Sequence, residues 1–284
     1  MAFDHYYAGV PAEQREALRS FREEHAAKHA IIHGTEWTYY TMGQGEQVIL
    51  WLVGGLRVAD AAHSYIPLMQ DHYRIIVPDY PMLNTMDELA NGLAGLLDAE
   101  GIDRACVLSG SFGGMLAQVF VRLFPARVSK LVLSSTTAPD PEQAKAQNAP
   151  ITLLGWLPGV LARILAKQQL YNIIDPPAHE AMFYKAYLNE LFSIRLDKAA
   201  IISTLRCLKD YNLHRFSPTD LVGWDGDILI IDSADDATFS EQGQQAMRRL
   251  YPHAEVYTFQ DAGHSPASTQ QGPFFSKVRE FFGS

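Results

Sequence analysis

The feature that most constrains the fold is the stretch at residues 106–125, CVLSGSFGGMLAQVFVRLFP. An apolar run at residues 105–108 stops at the glycine-rich segment SGSFGG, and a second apolar pattern with helical spacing follows directly. Gly and Ser often form plain turns, and glycine amides at a helix start can bind phosphate. The segment lacks the Lys-Ser/Thr ending of a phosphate loop and the spacing of a dinucleotide-binding fingerprint, which argues against an anion site.

A third interpretation is a nucleophile elbow, a sharp strand-to-helix turn that lifts a reactive Ser above the sheet. Such a turn brings its backbone close to neighbouring segments, so the positions two before and two after the Ser must be small. Here those positions are Ser109 and Gly113, and Ser111 is the candidate nucleophile. The usual G-x-S-x-G pattern is S-x-S-x-G in this chain, a mild departure because Ser is nearly as small as Gly.

The segments around the elbow alternate between strand and helix patterns. Residues 48–53 are a continuous apolar run, as a strand buried on both faces should be, and YRIIVPDYP indicates another buried strand at residues 74–77. In the helical pattern TMDELANGLAGLLDAEG, Glu88 follows the N-cap candidate Thr85 at the spacing of a capping box. This order predicts an α/β fold with a mostly parallel central sheet flanked by helices.

The alternation stops at residue 138, and residues 138–216 show helical patterns only. This insertion of roughly 80 residues is too long for an ordinary loop, so we expect an all-helical cap. Strand and helix patterns return over 217–284, and we expect 31–137 and 217–284 to form one α/β core. Residues 11–30 have the pattern of a charged amphipathic helix, so we expect 1–30 to be a helical extension packed on the core.

Composition restricts the partners. The net charge of −9 provides no basic field for phosphates, so we expect no nucleic-acid partner. The N-terminus shows no apolar signal core and no run approaches the roughly 20 apolar residues of a membrane span, so we expect no membrane contact and a cytoplasmic location. The histidines show no metal-ligand spacing and the two cysteines form no framework, so no metal is expected.

Two loops that follow strand patterns supply partners for Ser111. A nucleophilic Ser needs a base to take its proton, and that base needs an orienting acid. His264, in QDAGH, follows an extended run, and the acidic segment DSADD follows another strand pattern, at the edge where open α/β sheets place their sites. Asp236 and Asp235 in this segment, and Asp140 after an earlier strand pattern, are candidates for the acid, whereas Asp232 is interpreted as a strand-end residue.

These motifs give the chain a resemblance to the α/β-hydrolase superfamily, in the form that carries an inserted helical cap. The resemblance runs from about residue 33 to the end and rests on SGSFGG, DSADD and DAGH, in the family's order Ser, acid, His. In that family the acid commonly stands three residues after a small residue that ends the strand, which implies Asp236, three after Ser233. The stretches LWLVGGLRVAD and YRIIVPDYP also faintly resemble maspardin-like members.

The resemblance also implies an oxyanion hole made of two backbone N–H groups. One belongs to Phe112, directly after Ser111, and the other to the turn at residues 54–56. The family's His-Gly at this turn is replaced by Val-Gly-Gly-Leu, so both Leu56 and Gly55 are candidates. A backbone donor does not depend on its own side chain, so the hole can survive this replacement.

We therefore expect a serine hydrolase, most simply a carboxylic-ester hydrolase for small to medium apolar esters that forms an acyl-enzyme on Ser111 without a cofactor. Thioesterase, lactonase, C–C hydrolase and perhydrolase activities on the same triad stay open, because a fold does not fix its chemistry. A non-catalytic binding or scaffold protein is the alternative from another class. The sequence predicts no oligomeric state. A minority of the cap's large side chains should face the cleft. Those side chains are Trp156, Leu157, Leu161, Met182, Phe183, Tyr187, Leu191 and Phe192.

Overall fold

A single twisted sheet organises the protein, whose structure, a computed structural model, describes residues 2–283. Within that range the strands are, in chain order, β1 (Lys28–Ile32), β2 (Thr35–Met42), β3 (Val48–Leu52), β4 (Arg74–Pro78), β5 (Ala105–Gly110), β6 (Val128–Ser134), β7 (Asp227–Ser233) and β8 (Glu255–Phe259). They lie side by side in the order β1-β2-β4-β3-β5-β6-β7-β8. The pairs β1–β2 and β2–β4 are antiparallel, and every later pair is parallel. The predicted α/β fold with a mostly parallel sheet is confirmed.

Helices connect most of the parallel strands, and others precede β1 and follow β8. They are α1 (Ala2–Tyr7), α2 (Ala12–Glu24), α3 (Met86–Ala99), α4 (Phe112–Leu123), α5 (Pro141–Ala146), α6 (Asn148–Trp156), α7 (Gly159–Ile174), α8 (Ala181–Ile194), α9 (Lys198–Leu213), α10 (Glu241–Leu250), α11 (Pro266–Thr269) and α12 (Gln271–Gly283). The capping box predicted for α3 is confirmed, because Thr85 Oγ1 accepts from the Glu88 N–H and Glu88 Oε2 accepts from the Thr85 N–H, each at 3.1 Å.

The N-terminal region departs from the predicted continuous helix. The helix expected over residues 11–30 ends at Glu24, and Lys28–Ile32 forms the edge strand β1 instead. A tight turn at His33 (φ 49°) and Gly34 (φ 78°) brings β1 back onto β2. An edge strand has only one paired side and tolerates polar residues, so the sequence KHAII gave no clear strand signal.

Five helices, α5 to α9, fill the chain between β6 and β7, and we call them the helical insertion. Helical patterns in the sequence mark four of them, in the segments PEQAKAQN, LPGVLARILAKQQL, HEAMFYKAYLNELF and DKAAIISTLRCLKDYN, and miss α6. That helix contains no charged residue in NAPITLLGW, so it lacks the polar face that makes a helical period visible.

A second hydrophobic cluster joins the N-terminal helices to the insertion. It packs Tyr7, Val10 and Leu18 against Phe183 and Tyr187 of α8, separately from the main core around the sheet. Tyr7 is fully buried, and its ring packs at a tilt against that of Phe183, with ring centroids 6.1 Å apart. The N-terminal helices therefore cover one side of α8.

Buried ion pairs reinforce this junction. Arg22 of α2 binds Glu190 of α8 at 2.8 Å and Asp60, in the segment after β3, also at 2.8 Å. The Tyr7 hydroxyl donates to Glu190 and the Tyr187 hydroxyl donates to Asp60, both at 2.6 Å. Because each carboxylate has several partners, the core, the N-terminal helices and α8 form one connected unit.

Candidate active site

The elbow stands where β5 passes into α4, at the centre of the sheet. Ser111 has φ 51° and ψ −120°, a conformation that non-glycine residues rarely adopt, and α4 begins at the next residue. A Cβ on Gly113 would lie 2.2 Å from the Leu52 carbonyl oxygen, so only glycine fits there. Ser109 is buried, and its hydroxyl donates to the Val132 carbonyl at 2.6 Å, which explains why a small polar residue is accommodated in place of the usual glycine.

Three side chains from three strand ends meet at this turn. His264 Nε2 lies 3.1 Å from Ser111 Oγ, and His264 Nδ1 lies 3.1 and 3.0 Å from the two carboxylate oxygens of Asp236. The His264 side chain is 7% exposed and that of Asp236 is 2% exposed, so water does not compete for these contacts. Asp236 Oδ1 also accepts from the N–H groups of Thr238 (2.7 Å) and Phe239 (3.2 Å). The arrangement lets a proton move from Ser111 to an imidazole held by a carboxylate.

The other carboxylates singled out from the sequence have other partners. Asp235 Oδ1 accepts from the Ala262 and Gly263 N–H groups at 3.0 and 3.1 Å. The Ser233 hydroxyl also donates to Asp235, and this hydrogen bond is the main reason that the pKa of Asp235 lies below its ordinary value. Asp232 pairs with Arg248 at 2.7 Å. Asp140 caps α5 by accepting from the Glu142 N–H. Among the carboxylates described, Asp236 is the one in contact with His264.

Three backbone N–H groups are available for an oxyanion. Phe112 is the first residue of α4, where a backbone N–H has no partner within the helix. In residues 2–283, no backbone bond is made by the N–H groups of Gly55 or Leu56, and both line the same cavity as Ser111. The turn is closed by Arg57, whose N–H donates to the Gly54 carbonyl at 3.1 Å. Both Gly55 and Leu56 therefore stay candidates for the second donor.

A large cavity of about 1480 Å³ opens above Ser111 and extends under the helical insertion. Leu165 and Leu170 of α7 and Ile201 of α9 contribute to its apolar wall. Leu170 Cδ2 lies 3.8 Å from the point where a Cβ on Gly55 would stand. This side chain therefore covers the turn at residues 54–57, which we call the oxyanion turn. Among the described lining residues there is no Lys, Arg or Glu, and Asp140 is the one carboxylate.

Most of the aromatic and aliphatic side chains singled out from the sequence do not form this wall. Trp156 is 86% exposed, and Phe183 and Tyr187 belong to the cluster with the N-terminal helices. Of those eight residues, Phe192 is the one that lines the cavity. The lining residues Leu165 and Leu170 were missed because the polar and apolar residues of α7 are distributed around the whole helix, so its sequence does not mark the face turned to the cleft.

Two features of other protein classes are absent from residues 2–283. No three His, Cys, Asp or Glu side chains are grouped to hold a metal ion there. No helix in that range has both the length and the hydropathy needed to cross a bilayer.

Comparison with known proteins gives the family. The model for the alpha/beta hydrolase fold matches residues 47–269. The chain belongs to this family. The resemblance seen in the sequence is thereby confirmed. The match begins after β2, so α1, α2, β1 and β2 of this alpha/beta hydrolase lie outside it.

Relatives of this alpha/beta hydrolase include enzymes named for dienoate substrates. It is 34% identical over 104 residues to the 2-hydroxy-6-oxo-6-phenylhexa-2,4-dienoate hydrolase of Burkholderia cepacia. The matched segment spans 32% of the chain and only 36% of that enzyme's length. It is 24% identical over 274 residues to the 2-hydroxy-6-oxo-2,4-heptadienoate hydrolase of Pseudomonas putida, covering 87% and 93% of the two chains. Maspardin of Danio rerio is 26% identical over 199 residues, 68% of the chain and 60% of maspardin, in agreement with the maspardin-like resemblance.

Solved structures support the fold. A hydrolase from Pseudomonas aeruginosa matches with a TM-score of 0.77 at 18% identity, over 91% of this chain and 98% of that one. The enol-lactonase from Burkholderia xenovorans matches with a TM-score of 0.74 at 18% identity, over 90% and 100% of the two chains. At this identity the likeness concerns the fold alone.

Proposed function

We propose that this alpha/beta hydrolase is a serine hydrolase that cleaves uncharged carboxylic esters through an acyl-enzyme on Ser111. The observation that carries the proposal is the hydrogen-bonded series Ser111–His264–Asp236, which opens on an apolar cavity. A Ser placed beside a base, which is itself oriented by an acid, is the arrangement that activates a hydroxyl for attack.

In the proposed mechanism His264 Nε2 takes the proton of Ser111 as Oγ attacks the ester carbonyl. Negative charge then collects on the former carbonyl oxygen, where the N–H of Phe112 and that of Gly55 or Leu56 stabilise it. His264 next gives its proton to the leaving alcohol, and the acyl group stays on Ser111. A water molecule, deprotonated by the same His264, attacks the acyl carbon and releases the acid. Asp236 holds the imidazole with Nδ1 protonated throughout.

The cavity favours a neutral ester over the main alternative, hydrolysis of a C–C bond in a dienoate. The relatives from Burkholderia cepacia and Pseudomonas putida are named for dienoates, which carry a carboxylate. Burying a carboxylate without a cationic partner is costly. Among the described residues lining this cavity, none is Lys or Arg, and Asp140 would repel an anion. An uncharged acyl or alcohol group meets no such penalty.

The helical insertion acts, in this proposal, as a cap that sets the size of the substrate. Helices α6 to α9 supply much of the apolar wall, including Leu165, Leu170 and Ile201, and the core supplies the triad. A cavity of about 1480 Å³ exceeds the roughly 300–1,000 Å³ of ordinary ligand pockets, so medium-chain esters should fit.

Labelling with a fluorophosphonate tests the nucleophile. Mass spectrometry of the treated protein should place the adduct on the peptide that contains Ser111, and Ser111→Ala should abolish labelling. Ser109→Ala is the matched control, because Ser109 lies two positions before Ser111, on β5, and its hydroxyl donates to the Val132 carbonyl of the neighbouring strand. An adduct on Ser109 or Ser134, with Ser111 free, would contradict the proposal. Complete absence of labelling would favour a binding or scaffold protein.

A substrate comparison tests the ester specificity. We expect turnover of p-nitrophenyl esters from acetate to dodecanoate, with an optimum at medium chain length. A 2-hydroxy-6-oxo-dienoate should be a poor substrate, and its methyl ester a better one, because esterification removes the charge. If the free dienoate is cleaved faster than every ester, C–C hydrolysis is the correct assignment.

A further inference from the structure

Arg57 is the last residue of the turn at residues 54–57, which carries the second proposed oxyanion donor. Its φ of 64° places a non-glycine residue in the left-handed region, a conformation that costs free energy. Its N–H donates to the Gly54 carbonyl at 3.1 Å, and its carbonyl accepts from the Tyr80 N–H at 2.9 Å. The backbone of Arg57 therefore ties the turn at residues 54–57 to the segment that follows β4.

The side chain of Arg57 is a buried cation with neutral partners. The residue is 2% exposed, and its guanidinium donates to Ser203 Oγ (3.2 Å), Thr204 Oγ1 (3.0 Å) and the Pro81 carbonyl. No carboxylate in residues 2–283 forms an ion pair with it, whereas Arg22 pairs with two. Burial lowers the pKa of Arg57, which reflects the cost of keeping this charge away from water.

The guanidinium contacts both Phe112, the residue after the nucleophile, and Thr204, a residue of the cavity wall. Its Cζ is 5.8 Å from the centre of the Phe112 ring, and the Phe112 N–H is one of the proposed donors. Its partner Thr204, on α9, lines the cavity. One side chain thus contacts the residue after the nucleophile, the helical insertion and, through its own backbone, the turn that carries the second donor.

We propose that Arg57 is a positioning residue for the oxyanion hole. It holds the turn at residues 54–57 under α9, and its unpaired positive charge favours the negative oxygen of the transition state. This inference rests on the proposed serine-hydrolase function. In the resting protein no described carboxylate neutralises the charge, and the oxyanion exists only during the reaction. An interaction of this kind lowers the barrier without strengthening substrate binding, so it raises kcat and leaves KM nearly unchanged.

Two substitutions separate the charge from the shape of the side chain. Arg57→Met removes the charge, and Arg57→Lys keeps it while losing part of the hydrogen bonding. With a medium-chain p-nitrophenyl ester, and with active sites counted by fluorophosphonate titration, R57M should lower kcat by about 10- to 100-fold, the range of one lost electrostatic contact. KM should change by less than about threefold, and R57K should recover at least half of the loss on a logarithmic scale.

Inhibitor binding gives a second readout that a purely structural role would not move. An alkyl trifluoromethyl ketone forms an anionic hemiketal with the reactive Ser, whereas the matching methyl ketone stays neutral. R57M should weaken the trifluoromethyl ketone by the same factor as kcat/KM and leave the methyl ketone unaffected. Arg122→Met is the matched control, since Arg122 is also a largely buried Arg that lies over an aromatic ring, but it pairs with Asp220 and does not line the cavity. It should reduce thermal stability without changing kcat per labelled site.

The outcomes distinguish the two proposals. If R57M only lowers the melting temperature, with kcat and both inhibitor affinities unchanged, the inference about Arg57 is overturned and the serine-hydrolase function stands. R57K no more active than R57M also overturns it, because Lys retains the charge. If R57M does not fold, Arg57→Gln, which removes the charge but keeps hydrogen-bond donors, takes its place in the same comparison. A wild-type protein that fluorophosphonate does not label removes the proposed function itself.

Discussion

Replacing Asp236 by Asn should have a far larger effect on turnover than the change of one atom suggests. Asp236 Oδ1 accepts from the N–H groups of Thr238 and Phe239, so an Asn at this position must keep its carbonyl oxygen there. Its NH₂ group then takes the place of Oδ2, which lies 3.0 Å from His264 Nδ1. Because NH₂ is a donor, it stabilises the tautomer in which Nδ1 is bare and Nε2 carries the proton.

That tautomer cannot accept the proton of Ser111, whose Oγ lies 3.1 Å from Nε2. In other triads a wrong tautomer lowers turnover about 10⁴-fold, equivalent to about 5 kcal/mol of barrier. We therefore expect Asp236→Asn to reduce kcat by about three to four orders of magnitude, with the far-UV spectrum and melting temperature close to those of the wild type. The assay is ester turnover per fluorophosphonate-reactive site, or per folded protein where labelling itself is slow.

Asp235→Asn is the matched control. An Asn carbonyl oxygen can still accept from Ala262, Gly263 and Ser233, so the loop that carries His264 keeps its support, and kcat should fall by less than about tenfold. If Asp235→Asn is the severe variant and Asp236→Asn the mild one, the assignment is wrong by one position. If both are mild, Asp140 becomes the acid to replace.

Three further predictions concern the cavity and the buried groups. Leu170→Ala should shift the optimum towards longer or branched acyl chains, as measured with the p-nitrophenyl ester series. Trp156→Ala should leave the optimum unchanged, because Trp156 is exposed and lies outside the cavity. Equal effects of the two substitutions would contradict this assignment. Burial lowers the pKa of His63 from 6.5 to about 4, so His63 destabilises the folded state increasingly as pH falls from 6.5 to about 4, by up to about 3 kcal/mol. Urea unfolding of wild type and His63→Gln across this range should show the wild type losing more stability; parallel losses would exclude the effect. Cys106 and Cys207 are buried, and burial raises the pKa of both thiols, that of Cys207 to about 12. A maleimide should therefore label these thiols only after unfolding, which mass spectrometry in increasing urea would follow.

The elbow could be predicted from sequence because two independent signals coincide there. The apolar runs on either side require a buried strand and a buried helix, and the small residues between them leave room for a tight turn. The structure gives the physical reason for Gly113, where any Cβ would collide with the carbonyls of Leu52 and Val53. A constraint of this kind acts through neighbours in the chain and in adjacent strands, so it leaves a mark in the sequence.

The choice between Asp235 and Asp236 could not be made from residue types alone. Both carboxylates follow β7, and both accept backbone N–H groups, yet one faces His264 and the other the amides of Ala262 and Gly263. What separates them is the direction in which the loop turns after Ser233, where the Asp236 N–H donates to the Ser233 carbonyl. The sequence selected Asp236 through family spacing, and the loop supplies the reason for that spacing.

The position of the helical insertion on the core also depends on features that periodicity does not record. Helix α8 is bound to the core and to the N-terminal helices by the ion pairs of Arg22 with Glu190 and Asp60, and α9 is bound by the contacts of Arg57 with Ser203 and Thr204. Helices α6 and α7 are linked mainly to the rest of the insertion, for example through Lys198, whose ammonium donates to the Gly155 and Leu157 carbonyls. The wall made by α8 and α9 is therefore the more strongly anchored one. Helix α7 packs on α8 and α9 and has few bonds to the core, so we expect a substrate that needs more room to displace α6 and α7 before it disturbs the triad or the oxyanion turn.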